Sequence, residues 1–203
     1  MISIYQLKPA FQNLLRPLAV RLAKLGVTAN AVTVAAMLLS LLLGGVLYLF
    51  GASAPQLFLL LPAWMFLRMA LNALDGMLAR EFGQQSPLGA YLNELSDVVS
   101  DAALYLPFVF IPPFGWASIG AVVFLAALSE MAGALGPMVG APRQYDGPLG
   151  KSDRAFLFGC LGFWLGLAGS LPAAVFWLMP LAAAGIALNI VNRIRSGIAA
   201  ITP

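Results

Sequence analysis

The length of its apolar stretches most constrains what this chain can fold into. Six runs stand near residues 31–50, 56–79, 89–111, 116–138, 153–169 and 173–194. A helix needs roughly 20 apolar residues to cross the hydrocarbon layer, and all but the fifth reach or approach that length. They are too long for the strands of a lipid-facing barrel, and they do not alternate with polar residues. Only 9% of the 203 residues are charged and 61% are hydrophobic, whereas about a quarter of a soluble domain is charged. The expected fold is all-α and integral to the membrane. It is one domain, residues 1–203, with a bundle of six transmembrane helices (28–203) after an N-terminal amphipathic surface helix (1–27). In that first segment Lys8, Arg16, Arg21 and Lys24 punctuate an apolar pattern, with no continuous apolar core of the kind a cleavable signal carries.

The few charges are placed asymmetrically. The connections GASAPQ, IPPFGW and GSLPA carry none. Lys8, Arg16, Arg21, Lys24, Arg80, Arg143, Lys151, Arg154, Arg193 and Arg195 all fall at the opposite ends of the spans, and Arg68 lies inside the second. An excess of Lys and Arg marks the cytoplasmic side, so both termini are expected there. The acids Asp75, Glu81, Glu94, Asp97, Asp101, Glu130, Asp146 and Asp153 follow the same asymmetry. Ionisable groups inside a bilayer are costly and mark bundle interiors or watery cavities. An Arg68–Glu130 ion pair would account for two of them as packing. Asp75, Asp97 and Asp101, on two adjacent spans, exceed what packing requires and point to function.

Residue types narrow the chemistry. The chain has no histidine and one cysteine. This excludes histidine proton shuttles, His-ligated zinc and Ser/His or Cys/His nucleophiles, and no disulfide can form within the chain. Cys160 reads as a small hydrophobe. Any metal should be a hard, oxygen-seeking ion such as Mg²⁺ or Mn²⁺.

Spacing then brings oxygen ligands together. Asn72, Asp75, Gly76 and Ala79 share one helical face, and Asn93, Asp97 and Asp101 share another, with Gly89 one turn earlier. A short connection makes the two spans antiparallel neighbours, so the polar faces can meet near the cytoplasmic surface. Gly76 and Gly89 leave room for a bulky group to approach the backbone. Arg80 supplies a cation able to grip a phosphate bidentately.

The stretch NALDGMLAREFGQQSPLGAYLNELSD, residues 72 to 97, resembles the signature D-x2-D-G-x2-A-R-x8-G-x3-D-x3-D of the CDP-alcohol phosphatidyltransferases. All intervals match, and the six-span layout extends the likeness over nearly the whole chain. The resemblance implies that an alcohol hydroxyl attacks the β-phosphorus of a CDP-linked lipid such as CDP-diacylglycerol, giving a phosphodiester lipid and CMP. It implies metal ligation by Asp75, Asp97, Asn72 and Asn93, with Asp97 also the general base. Gly76, Arg80, Ser86 and Gly89 fall on the CDP side. So do Asn30 and Thr33 of T-A-N-A-V-T, where Thr28 or Asn30 also suits a helix N-cap. Mg²⁺ or Mn²⁺ is the implied cofactor. The implied partners are CDP-diacylglycerol, a small alcohol, membrane lipids and a second copy in a homodimer, with no nucleic acid. The expected location is a bacterial inner membrane, with the site facing the cytoplasm.

The departure lies at Asn72 and Asn93, where the signature has aspartate. An amide keeps one ligating oxygen but loses the charge, and a carboxylate–cation contact at ~4 Å is worth several kcal/mol at an effective dielectric near ~20. Weaker or single-metal binding is expected, with Asp101, one turn deeper, or Glu94 as the acids that could restore charge. Arg143, Lys151 and Arg154 in residues 142–154, with Arg193 and Arg195, suit both topology and attraction to anionic lipid. Lys151, Arg154 and Arg193 also suit an acceptor carrying its own phosphate, such as glycerol phosphate or inositol phosphate. Gly162-x-x-x-Gly166 suits close helix contact, within the chain or between copies. Two other functions fit parts of this pattern. One is a catalytically silent nucleotide- or lipid-binding relative, suggested by the two asparagines. The other is a cation or proton transporter, suggested by Asp75, Asp97, Asp101 and Glu130 but opposed by the absence of acids in the outer halves of the spans.

Overall fold

A computed structural model of the protein describes residues 4–202, with side chains from Ala10 onward. The Lys8 side chain and residues 1–3 of the expected surface helix thus lie outside the described residues. The described residues are helical and contain no strand. Seven helices follow in order: α1 (Ile4–Lys24), α2 (Ala29–Phe50), α3 (Leu60–Glu81), α4 (Pro87–Tyr105), α5 (Trp116–Ala134), α6 (Lys151–Ala168) and α7 (Leu178–Ala199). A helix stands at each of the six expected segments.

Four helical stretches are long and apolar enough to cross a membrane: Ala29–Phe50, Pro55–Glu81, Trp116–Val139 and Ala173–Ala199. They make the chain a multi-pass membrane protein. The expected third and fifth crossings, α4 and α6, do not meet that test. α4 carries Glu94, Asp97 and Asp101, and α6 carries Lys151, Asp153 and Arg154. The outward faces agree with a lipid environment, with Leu42, Leu49, Phe66, Phe124, Leu167 and Leu181 all exposed. In water such a surface would be an aggregation patch, whereas hydrocarbon accepts it.

Packing is set by small residues. The buried face of α2 runs Ala29, Val32, Thr33, Ala36, Ser40, Gly44 and Leu47, one stripe at helical spacing. A Cβ on Gly44 would stand 2.4 Å from the Ala103 carbonyl oxygen, so this glycine lets α2 and α4 approach closely. Gly162 and Gly166 are used inside the chain. Added Cβ atoms there would meet Leu61 at 3.1 Å and Leu59 at 2.6 Å, so the pair seats α6 on the start of α3.

The expected meeting of the second and third spans is made by side chains: α2 packs against both α3 and α4, and Arg68 and Asn72 of α3 reach Asp97 and Asp101 of α4 across more widely spaced backbones. Their connection bends at Gly83 (φ 67°), and Gln84 fastens it to α2 by accepting from the Ala29 amide at 2.6 Å. The neighbours are therefore splayed about α2, and only long side chains bridge the gap. Two apolar clusters bracket that gap. The larger contains Phe58, Tyr105, Phe108 and Phe158, with the Tyr105 and Phe158 rings stacked at 4.0 Å. The smaller joins Ala19 of α1 to Ala29, Val32, Leu74, Met77 and Leu78.

Candidate functional site

Between the starts of α2 and α4 and the end of α3 lies a polar cavity of about 620 Å³. Its wall includes Asn30, Thr33, Asp75, Gly76, Arg80, Ser86, Gly89 and Asn93. All six residues expected on the CDP side are thus in one wall, together with two of the expected metal ligands. Local chemistry explains the shape. Thr28 caps α2, its hydroxyl accepting from the Ala31 amide at 3.1 Å. Ser86 caps α4 by accepting from the Gly89 amide at 3.0 Å, and Pro87 follows within the first turn. Two helix N-termini therefore border the cavity, and their dipoles favour an anion there, while Gln84, Thr28 and Ser86 take up the Ala29, Ala31 and Gly89 amides. A Cβ on Gly89 would fall 2.8 Å from the Asn30 amide oxygen, so glycine there keeps Asn30 in the wall. Thr33 donates to Asp75 Oδ2 at 2.8 Å, which orients that carboxylate. Among the described residues Arg80 has no carboxylate within ion-pair distance.

Asp97 stands outside that wall. Its Oδ1 accepts from Arg68 Nη2 at 3.1 Å and from Asn72 Nδ2 at 3.3 Å, and its Oδ2 is ion-paired with Lys151. Asn72 and Lys151 line a second opening of about 680 Å³ between α3 and α6, where Met65, Phe66, Phe156 and Phe163 make the walls apolar. Asp101 is buried, 2.5 Å from Arg68 Nη1 and 4.0 Å from Arg154 Nη2. It is not in the wall of the polar cavity; its carboxylate holds Arg68.

The expected Arg68–Glu130 pair does not form. Arg68 joins Asp97 and Asp101, while Glu130 is met by Arg154 (2.7 Å), Arg143 (3.3 Å) and Arg193 (3.4 Å). The reason is packing: α5, which carries Glu130, rests on α7 and α4, not on α3. Arg154 and Arg193, expected to bind an acceptor, are buried in this network, with Arg193 also donating to the Ser129 carbonyl at 2.5 Å. Of the three acceptor candidates, Lys151 lines the opening between α3 and α6, whereas Arg154 and Arg193 are buried.

Sequence reasoning gave Gln84, Ser129 and Asn189 no role, and it read Arg143 and Glu94 separately, as a lipid-facing cation and a spare metal-site acid, where the structure pairs them. Glu94 lies in the cavity wall and accepts from Arg143 at 2.6 Å, while the Arg143 guanidinium sits 4.5 Å from the Tyr145 ring centre. Burial alone would lower the Arg143 pKa, but the hydrogen bond and charge of Glu94 outweigh it and hold the guanidinium above its ordinary range. Asn189 donates to the Pro148 carbonyl at 3.0 Å and accepts from Ser129 at 2.7 Å, tying the 140–150 loop to α7 and α5. The one available signal was polarity inside an apolar helix, which marked Asn189 and Ser129 as partnered groups.

The donor set fits one divalent cation better than two. No cluster of three His, Cys, Asp or Glu side chains able to hold a metal occurs among the described residues. Asp75 and the Asn93 carbonyl share the polar cavity, and Mg²⁺ characteristically takes one or two carboxylates plus substrate phosphate oxygens. Asp97 is already engaged by three donors.

An all-helical membrane bundle carries Asp75, Arg80, Gly76 and Gly89 around one polar cavity, while Asn72 and Asp97 of the same signature stand outside it. The profile of the CDP-alcohol phosphatidyltransferase family matches residues 26–191, and the chain belongs to that family. It is 54% identical over 161 residues to the inner membrane protein YnbA of Escherichia coli K12, covering 79% of each. It is 32% identical over 99 residues to an archaetidylinositol phosphate synthase of Pyrococcus horikoshii, covering 49% of this chain and 50% of that one. Among solved structures it resembles the Mycobacterium tuberculosis phosphatidylinositol phosphate synthase PgsA1. The complex with manganese and citrate superposes with a TM-score of 0.73 at 19% identity, covering 92% of this chain and 91% of that one. The form with CDP-DAG bound gives 0.73 at 18% identity, covering 92% and 96%. At that identity the likeness speaks for the fold.

Proposed function

We propose that the protein transfers a phosphatidyl group from CDP-diacylglycerol to a small alcohol, releasing CMP, at the cytoplasmic face of the inner membrane. The observation that carries this reading is the single cavity wall shared by Asn30, Thr33, Asp75, Gly76, Arg80, Ser86 and Gly89. Arg80 binds the diphosphate, supported by the positive ends of the α2 and α4 dipoles, and glycine at positions 76 and 89 makes room for the Arg80 and Asn30 side chains, which a Cβ there would meet at 2.9 and 2.8 Å. A bound Mg²⁺ or Mn²⁺, held by Asp75 and Asn93, would neutralise charge on the phosphates. The acceptor oxygen attacks the β-phosphorus, the bond to the CMP oxygen breaks, and the hydroxyl proton passes to Asp97. Arg68, Asn72 and Lys151 hold the Asp97 carboxylate in place, and Lys151 meets the acceptor at the second opening. The acceptor is a small alcohol, free or phosphorylated.

The same reading places all six long helices across the bilayer, with Asp97 and Asp101 of α4 answered by Arg68 of α3 and Lys151 of α6, and α1 along the cytoplasmic surface. Transport finds little support, because every Asp and Glu lies towards one end of the spans and the connections at the other end carry no charge. The catalytically silent reading draws on the three donors that already engage Asp97. Purified protein with CDP-diacylglycerol, Mn²⁺ and a panel of alcohols separates the two. CMP release with at least one acceptor supports transfer. Nucleotide binding without release for any acceptor supports the silent relative.

A further inference from the structure

The signature region sets four ligand-like side chains on facing helices, and two of them are amides. What surrounds Asp97 shows how the missing charge is handled. Asn72 turns its amide nitrogen, not its oxygen, toward Asp97 Oδ1. With no cation between them the opposite orientation would place two acceptors face to face, and the Arg68 and Lys151 cations already occupy the Asp97 oxygens. An amide nitrogen does not ligate a metal. Arg68 donates to the same oxygen, and the Lys151 ammonium pairs with the other.

Lys151 is held there by its backbone. It is the first residue of α6, after Gly150, whose amide donates to Asp153 Oδ2 at 3.0 Å. A cation at a helix N-terminus opposes the helix dipole. The position is unfavourable for α6 alone, and its ion pair with Asp97 offsets that. The Lys151 and Asp97 side chains remain 29% and 19% exposed, so the pair borders the opening between α3 and α6 and is not part of the sealed core.

Resting on the proposed transferase reading, we infer that the Lys151 ammonium is a built-in cation at Asp97, standing where a second divalent ion would need its ligands, and that the site takes one divalent ion only. Asp75, Asp97 and Asp101 carry three negative charges here, and Arg68 and Lys151 pair with Asp97 and Asp101 while Arg80 shares the cavity wall with Asp75. A single divalent ion beside Asp75 joins a site close to neutral. A second would sit against Lys151 with no free carboxylate to hold it.

The test counts Mn²⁺ ions bound by the full-length protein in detergent, by electron paramagnetic resonance, alone and with CDP-diacylglycerol. The wild type is expected to take up one ion per chain with the lipid, and uptake of two would overturn the inference. Independently of nucleotide binding, N72D/N93D should still bind one ion, while N72D/N93D/K151M should bind two. The same background with R143M, which removes a cation elsewhere, should stay at one, and K151R should too. Two ions in N72D/N93D with Lys151 present, or one in the triple variant, would contradict the inference. Loss of CDP-diacylglycerol binding in the wild type would instead remove the transferase reading, and the nucleotide-free counts would still decide this one.

Discussion

Two polar regions lie side by side at one end of this bundle, and they treat charge in opposite ways. Around Asp75 the groups are left available: Arg80 has no carboxylate partner among the described residues, Asn93 is exposed, and Gly76 and Gly89 line an open cavity. Around Asp101 and Glu130 every charge is answered. Asp101 is paired with Arg68, and Glu130 with Arg143, Arg154 and Arg193. A buried charge costs several kcal/mol unless it is paired and hydrogen-bonded, so the second region is a fastening that fixes how α3 to α7 meet. The first holds its charge for something that arrives. Asp97 and Lys151 stand at the border between the two.

The contrast can be broken from either side. The largest effect is expected at Asp75→Ala, which should lower CMP release by about 10³-fold or more, as removal of a principal electrostatic group does, with little change in melting temperature. Loss of stability without loss of turnover would reverse the assignment of the two regions. Next comes Glu130→Gln. It leaves three guanidinium groups around an amide and should destabilise the bundle by about 3–5 kcal/mol, the usual result of breaking a buried pair. Thermal unfolding in detergent reads this, and an unchanged midpoint would mean that the fastening is not one. Arg80→Ala should weaken CDP-diacylglycerol binding by about 10- to 100-fold, the worth of a hydrogen bond to a charged group, while unfolding stays as in the wild type. Smallest is Arg16→Ala. The Arg16–Glu81 pair is half-exposed at 2.5 Å, and such pairs contribute about 0–1 kcal/mol; a larger shift would show that α1 is fastened more firmly than its position on α3 suggests.

Much of the open region was legible in the sequence, and little of the closed one. The wall of the polar cavity follows from local periodicity: Asp75 and Gly76 on one helical face, Gly89 and Asn93 on another, and the helix cap at Thr28. Those relations act over one or two turns. Helix positions were legible for the same reason, with α5 starting at Trp116 and α2 ending at Phe50 as the apolar runs do. The closed network depends on which helices touch, and spacing along the chain carries no information on that. Arg68 is no nearer in sequence to its partners than many residues it never meets, so Glu130 looked as good a partner as Asp101. Splaying of α3 from α4 was hidden for the same reason, since it arises from Gly44 against Ala103 and from Gln84 on the start of α2. Lys151 illustrates the limit best. Read alone it is one more cytoplasmic cation, and only its place at the start of α6 beside Asp97 separates it from the rest.

The most direct test of the account is equilibrium binding of CDP-diacylglycerol to purified wild type and to D75A/R80A, with free CDP as competitor. Saturable binding that CDP displaces, reduced at least 100-fold in the variant while its melting temperature is kept, is the predicted result. Equal affinity in the two proteins, or wild-type binding that CDP leaves untouched, would show that the cavity beside Asp75 is not where the nucleotide-activated lipid is held.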